Sequence, residues 1–207
     1  MVGFGLFGDI SISKDSVRYF ERVFDFLKDH NVNVTIYAGA YDAKTIATAI
    51  HHGGATRISG GFAVHSDPQI IDYLARHRVP IELAPTAKLL RRTETLKTEI
   101  GGGLFQLLLD NHLNVSLCSF RHALQPLTRS ELLHRVYKQC SQEPGTENDV
   151  SHIFRLLGNA FRLNFSSFGE RTSMYRSFVE QASAVLDGAG FKHYRSKEFY
   201  FPPDFEP

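Results

Sequence analysis

Two kinds of hydrophobic pattern alternate along the chain: short runs of apolar and β-branched residues, and longer stretches in which apolar residues return every three or four positions. The most complete example spans 34–62 and reads VTIYAGAYDAKTIATAIHHGGATRISGGF. Val34-Thr-Ile-Tyr37 suits a buried strand, Ala38-Gly39 a loop and Tyr41 to Ile50 a short helix. Thr56 to Ser59 then starts a second strand that Gly60-Gly61 stops. The segment is one strand-helix-strand step, with glycines where its strands end.

The rest of the chain repeats this alternation. Val2 to Gly8 is an apolar run of the kind buried on both faces of a parallel sheet. Ser13 or Asp15 can cap a helix over 16–28, in which Val17, Phe20, Val23, Phe24 and Leu27 keep helical spacing. Ser66-Asp67-Pro68 is a helix start with proline in the first turn, followed by an apolar face of Ile70, Ile71, Leu74 and Ala75. Val79 to Pro85 is a short strand, and a charged, irregular segment from Leu89 to Glu99 follows. Gly101-Gly102-Gly103 frees the turn into a helix carrying Leu104, Phe105, Leu107 and Leu108, and Asn114 to Phe120 is the fifth strand. Thr128 caps a helix to Cys140, with Glu131 completing a capping box. Asn148 or Asp149 opens the next helix, with Val150, Ile153, Phe154, Leu157 and Phe161. The last helix runs from about Arg171 to Asp187, with Tyr175, Phe178, Val179, Ala182 and Val185, and ends at Gly188 and Gly190. Five strands alternating with helices predict an α/β fold on one parallel sheet. One domain over 1–190 and an aromatic, proline-rich tail over 191–207 account for the 207 residues.

Composition narrows the function classes. Lys plus Arg total 23 against 22 for Asp plus Glu, a net charge of +1 that gives no field for nucleic acid or an anionic membrane. Cys118 and Cys140 are too few for a disulfide framework and lack metal-ligand spacing, so both read as free thiols of a reducing compartment. No apolar run reaches membrane-spanning length, and the first residues lack the basic flank of a signal peptide, which predicts a soluble, intracellular and by default cytoplasmic protein. Histidines 51, 52, 65, 77, 112 and 122 are scattered on loops and helix ends without an i, i+4 ligand pair. Gly101-Gly102-Gly103 has no lysine after it and no strand before it, so it is not a phosphate loop.

Six blocks, in order, resemble the C-terminal part of the metal-dependent adenosine deaminases. Val2-Gly-Phe-Gly-Leu-Phe-Gly-Asp-Ile is similar to that family's V-G-x-D-L-x-G-x-E, Tyr37-Ala-Gly-Ala to H-A-G-E, and Arg57-Ile-Ser-Gly-Gly-Phe to R-I-G-H-G. Pro80-Ile-Glu-Leu-Ala-Pro-Thr-Ala-Lys is similar to P-L-E-x-C-P-x-S-N, Val115-Ser-Leu-Cys-Ser-Phe-Arg-His to V-T-L-N-T-D-D-P, and Asn159-Ala-Phe to N-S-F. The resemblance implies a partial TIM (β/α) barrel whose five strands are equivalent to strands 4–8, with helices outside. It also implies a family chemistry in which a zinc-bound water removes the adenine 6-amino group. Zinc needs three or more protein ligands around an open position and lowers the pKa of its water to about 7.

At the family's reacting positions this chain departs from the pattern. Tyr37 stands where a zinc-binding histidine is implied, Ala40 at the proton-donating glutamate and Gly60 at the orienting histidine. Phe120 and Arg121 replace two aspartates, Gly5 replaces an acidic residue, and Gly8 keeps the family glycine. Neither phenylalanine nor tyrosine is an ordinary zinc ligand, and Arg121 would set a positive charge where the cation should sit. The expectation is therefore a pseudoenzyme without catalytic residues, metal or cofactor, kept as a structural or scaffolding subunit of a larger complex. Alternatives are a zinc-independent nucleoside- or nucleotide-binding regulator, with Arg121 on an anionic group, and a truncated copy of a longer deaminase-like chain. Because Met1 abuts a core-type strand, a protein partner is expected to supply or cover the first three strands of the barrel. Leaving a few hundred Å² of apolar surface open costs several kcal/mol at ~25 cal/mol per Å².

Overall fold

The computed structural model describes residues 3–7, 17, 19–84, 103–118, 128–140 and 150–190. Five strands, β1 (Phe4–Leu6), β2 (Val34–Ala38), β3 (Arg57–Gly60), β4 (Ile81–Leu83) and β5 (Val115–Leu117), form one sheet in the order β1-β2-β3-β4-β5. Each neighbouring pair is parallel. The crossovers carry helices α1 (Glu21–Asp29), α2 (Lys44–His51), α3 (Pro68–Arg76) and α4 (Gly103–Asp110); α5 (Arg129–Cys140), α6 (Ser151–Arg162) and α7 (Phe168–Gly188) follow β5. This is the expected α/β fold, an open run of barrel strands with helices outside. Among the described residues no helix is long and apolar enough to cross a membrane.

One face of the sheet makes the core. Ile36, Ile58, Ile81, Leu83 and Val115 are fully buried, as are Ile46, Leu74, Leu108 and Leu113 from the helical layer. The opposite face is polar. The register sets Tyr37, Ser59, Glu82 and Ser116 side by side on four strands, with Thr35 and Arg57 paired one layer below.

The returns from helix to strand share one construction. Asn31, Gly54, Arg78 and His112 have left-handed φ between 51° and 60°. Each lies three residues before the strand it feeds. The next residue then donates its N–H back into the helix: Val32 to Leu27 O, Ala55 to Ala49 O, Val79 to Leu74 O and Leu113 to Leu108 O, at 2.9–3.1 Å. These bonds satisfy helix carbonyls that would otherwise be left over, and they turn an apolar side chain onto the core.

Several boundaries differ from the sequence reading. In the first helical segment Val17, Phe24 and Leu27 are buried, whereas Phe20 and Val23 are 40% and 43% exposed. Helical spacing there covers an arc wider than the sheet can cover. The last helix starts at Phe168, because Ser167 and Glu170 form a capping box ahead of the expected Arg171. On that helix Leu186 is buried and Val185 exposed, and on α6 Leu156 rather than Leu157 is fully buried. A 3₁₀ turn, Phe62–Ser66, intervenes before the Asp67 cap, whose side chain accepts from the Gln69 and Ile70 N–H groups with Pro68 in the first turn. The expected caps at Ser13, Asp15, Asn148 and Asp149, the Leu89 to Glu99 segment, Gly101-Gly102 and the 191–207 tail lie outside the described residues.

Candidate functional site

The C-terminal ends of β2 and β3 form a floor in which the backbone bonds to itself. Gly61 N–H donates to Ala38 O at 2.8 Å and Ala63 N–H to Gly39 O at 2.7 Å, tying the two loops together. Gly39 N–H donates to the Thr45 hydroxyl at 2.8 Å, and that hydroxyl donates to Asp42 O at 2.7 Å. Only glycine fits this approach. Gly39 and Gly61 have φ of 69° and 68°. A Cβ on Gly39 would stand 2.6 Å from Ile46, and one on Gly61 2.8 Å from Ile81. The glycines at these strand ends are therefore explained by loop closure alone.

The structure brings Tyr37, Ala40 and Gly60 to this floor. Gly60 has φ 107°, and a Cβ built there would lie 2.8 Å from Ala38 O and 3.3 Å from Cε2 of Tyr37. The Tyr37 ring thus packs on the face of Gly60, and a side chain at 60 would clash first with the Ala38 carbonyl and press on the ring. Ala40 is buried and offers only a methyl group. Gly5 is the central residue of β1, exposed, with the Phe7 ring folded over it. Gly8, Phe120 and Arg121 lie outside the described residues.

This donor set does not fit the zinc that the resemblance implies. Of the positions that the resemblance assigns to zinc ligands the described residues include Tyr37, a half-buried phenol where an imidazole nitrogen is needed, while Ala40 and Gly60 put a methyl group and bare backbone at the proton-donating and orienting positions. Among the described residues no group of three His, Cys, Asp or Glu side chains is placed to hold a metal ion. His51 and His77 instead lie against the Tyr73 ring, 5.5 and 4.2 Å between centroids, and His65 Nδ1 sits 2.8 Å from Phe62 O.

Beneath the floor is a polar cluster that motif reading passed over. Arg57 Nε donates to Thr35 Oγ1 at 3.1 Å and lies 3.8 Å from the Glu82 carboxylate. Its guanidinium stacks on the Phe165 ring, 4.1 Å from the centroid. Phe165, on the α6–α7 connection, also lies 2.6 Å from where a Gly3 Cβ would be, so this connection closes the N-terminal end of the polar face. Cys118 is a free thiol whose pKa is pushed up to about 12, chiefly by burial, with the Glu82 charge adding and Arg57 opposing. It is therefore protonated at neutral pH and a poor nucleophile. The available signal was the period-two alternation Thr35-x-Tyr37, Arg57-x-Ser59 and Ser116-x-Cys118.

The buried Asn159 of α6 donates from Nδ2 to Val115 O at 2.8 Å. Asn114 O accepts from Ile81 N–H and Cys118 N–H donates to Leu83 O, so even-numbered residues of β5 bond to β4. The Val115 carbonyl consequently faces the outer edge of the sheet, where Asn159 supplies the partner a further strand would otherwise give.

Comparison with known proteins agrees with the fold. The family model for adenosine deaminase matches residues 1–181. A probable adenosine deaminase of Dictyostelium discoideum is 32% identical over 196 residues, 93% of this chain and 24% of that protein. The adenosine deaminase of Shewanella loihica is 29% identical over 163 residues, 75% of this chain and 45% of that one. Among solved structures, an adenine deaminase from Arthrobacter aurescens superposes with a TM-score of 0.69 at 18% identity, covering 88% of this chain and 53% of its own. The Arabidopsis ADAL complex with IMP gives 0.67 at 17% identity, covering 89% and 50%. The chain spans about half or less of the length of these relatives. With its ordered blocks, its parallel sheet and a family model matched across most of its length, the chain belongs to the adenosine deaminase family.

Proposed function

We propose that the chain is a catalytically inactive member of this family, a pseudoenzyme that serves as a structural subunit of a larger protein assembly. The reading is carried by the Tyr37 ring packed on Gly60, which sets a phenol ring and bare backbone in the place where the family resemblance puts two histidines. Residues that shape the fold persist beside it: Gly39 and Gly61 close the loops, Asn159 caps the sheet edge, and Arg57 and Glu82 pair across strands. Retention of shape with loss of donors is what a scaffold requires, because polar ligands gathered in a cavity cost stability when nothing binds them.

The chain as it stands, purified and dialysed against excess zinc, is expected to carry no stoichiometric metal by mass spectrometry. It is expected to release no ammonia from adenosine, AMP or adenine. One equivalent of zinc, or ammonia release at enzymatic rates, overturns the reading.

The polar layer of Tyr37, Ser59, Glu82 and Ser116 favours a second reading, a nucleoside- or nucleotide-binding protein that works without metal, with Arg121 contacting the phosphate. Titration calorimetry with adenosine, IMP and AMP separates the two. Saturable binding lost in Arg121→Ala supports the second, and no heat with any of the three supports the first.

A further inference from the structure

The connection from α6 to α7, residues 163–167, is held mostly by itself. Leu163 N–H donates to Asn159 O, and the Asn164 carboxamide donates to Phe161 O and accepts from Ser166 N–H. The capping box of Ser167 and Glu170 then fixes the start of α7. Among the described residues, the connection reaches the sheet through Arg57 and Phe165. Arg57 Nη1 donates to Leu163 O at 3.5 Å, long for such a bond, and the guanidinium stacks on the Phe165 ring, whose edge lies against Gly3. From the sheet side Arg57 is held by the Thr35 hydroxyl and the Glu82 carboxylate. It therefore ties two bodies together, each of which is bonded within itself.

We infer that the 163–167 connection is a strap latched by Arg57. It swings off the sheet while α6, α7 and the strands stay folded, and so admits water and small solutes to the polar layer from its Phe165 end. The local bonds make this opening separate from unfolding. A turn that satisfies its own backbone leaves few groups unpaired when it lifts, and the Leu163 and Ser167 bonds confine the movement to the residues between the helices. The tie itself is weak, because a guanidinium stack on one ring shifts an equilibrium by only about 10-fold. Release also has a defined consequence. Thr35 is 3% exposed and bonded to Arg57 Nε, so loss of the Phe165 ring from the guanidinium uncovers the Arg57 and Thr35 pair together.

The inference rests on neither reading of the function, since no metal, ammonia or nucleotide enters its test. In the full chain, Thr35→Cys with Cys118→Ser and Cys140→Ser puts a single thiol beneath Arg57, and its labelling by a thiol reagent is followed against urea. At low urea the rate should be independent of denaturant, the mark of a local opening. Phe165→Leu, and Arg57→Lys, which keeps the charge but not the flat guanidinium, should each raise that rate by about 10-fold. Asn159→Ala, which weakens the fold away from the latch, should leave it unchanged while bringing global unfolding to lower urea. Without any new thiol, solvent exchange of the Arg57 Nε–H, read by magnetic resonance, should quicken by the same factor in Phe165→Leu. Labelling that follows global unfolding at every urea concentration, or an Nε–H that exchanges no faster in Phe165→Leu, overturns the inference.

Discussion

Asn159 has the clearest individual role. Its carboxamide is buried and spends one donor on a carbonyl that no strand among the described residues reaches. Asn159→Ala would leave the Val115 carbonyl desolvated and unpaired, which costs about 1–3 kcal/mol. Urea unfolding should show that loss as a lower midpoint at an unchanged slope. Tyr37 and Gly60 illustrate what single letters hide. Each can be read as a substitution in a motif, but only their packing shows that the large residue fills the space the small one leaves. The paired Arg57 and Glu82 were equally visible in the motif blocks, and nothing in the string said that they meet across β3 and β4.

Among the elements, the helix-to-strand returns repeat a geometry that the sequence conceals. Glycine occupies the left-handed position in only one of four, with asparagine, arginine and histidine in the others, so the usual punctuation is missing. A side chain at that φ costs about 1–2 kcal/mol. His112→Gly should therefore raise stability by about 0.5–1 kcal/mol, the gain net of the added freedom of the unfolded chain. Thermal melting would register it as a few degrees upward. The capping boxes, by contrast, were half legible. Thr128 with Glu131 was expected, while Ser167 with Glu170 was missed because the apolar spacing points to a later start.

In both boxes the helix N-terminus holds the glutamate below the usual carboxylate range. The cause is chiefly the Thr128 backbone N–H for Glu131 and the Ser167 hydroxyl for Glu170. A folded pKa below the unfolded value of ~4.3 stabilises fully above that value, and the stabilisation is lost as pH falls through the folded pKa. The unfolding midpoint should thus hold from neutral pH to about 5 and decline below about 4.3. The Glu131→Gln/Glu170→Gln variant should show a shallower decline over that acid range.

For the molecule as a whole, the sheet has one apolar and one polar face. The polar face carries Thr35, Arg57, Tyr37, Ser59, Glu82 and Ser116, of which Thr35, Ser59 and Ser116 are themselves buried, and the α6–α7 connection closes one end of it with Phe165. The large exposed apolar side chains include Phe7, Tyr19, Phe20, Val23 and Phe26 near β1 and α1, where Phe20 and Val23 were read as core, and Phe168, Met174 and Val185 on α7.

The sequence by itself determined the alternation of strands and helices, the family blocks and the departures at Tyr37, Ala40 and Gly60. These are local properties, set by periodicity, turn residues and the chemistry of single side chains. Only the tertiary structure decided which flank of α1 is covered, which sheet edge is capped, and that Tyr37 rests on Gly60. Each depends on the distance between residues that the chain itself holds apart, and a distance of that kind is fixed by packing and has no counterpart in any one segment.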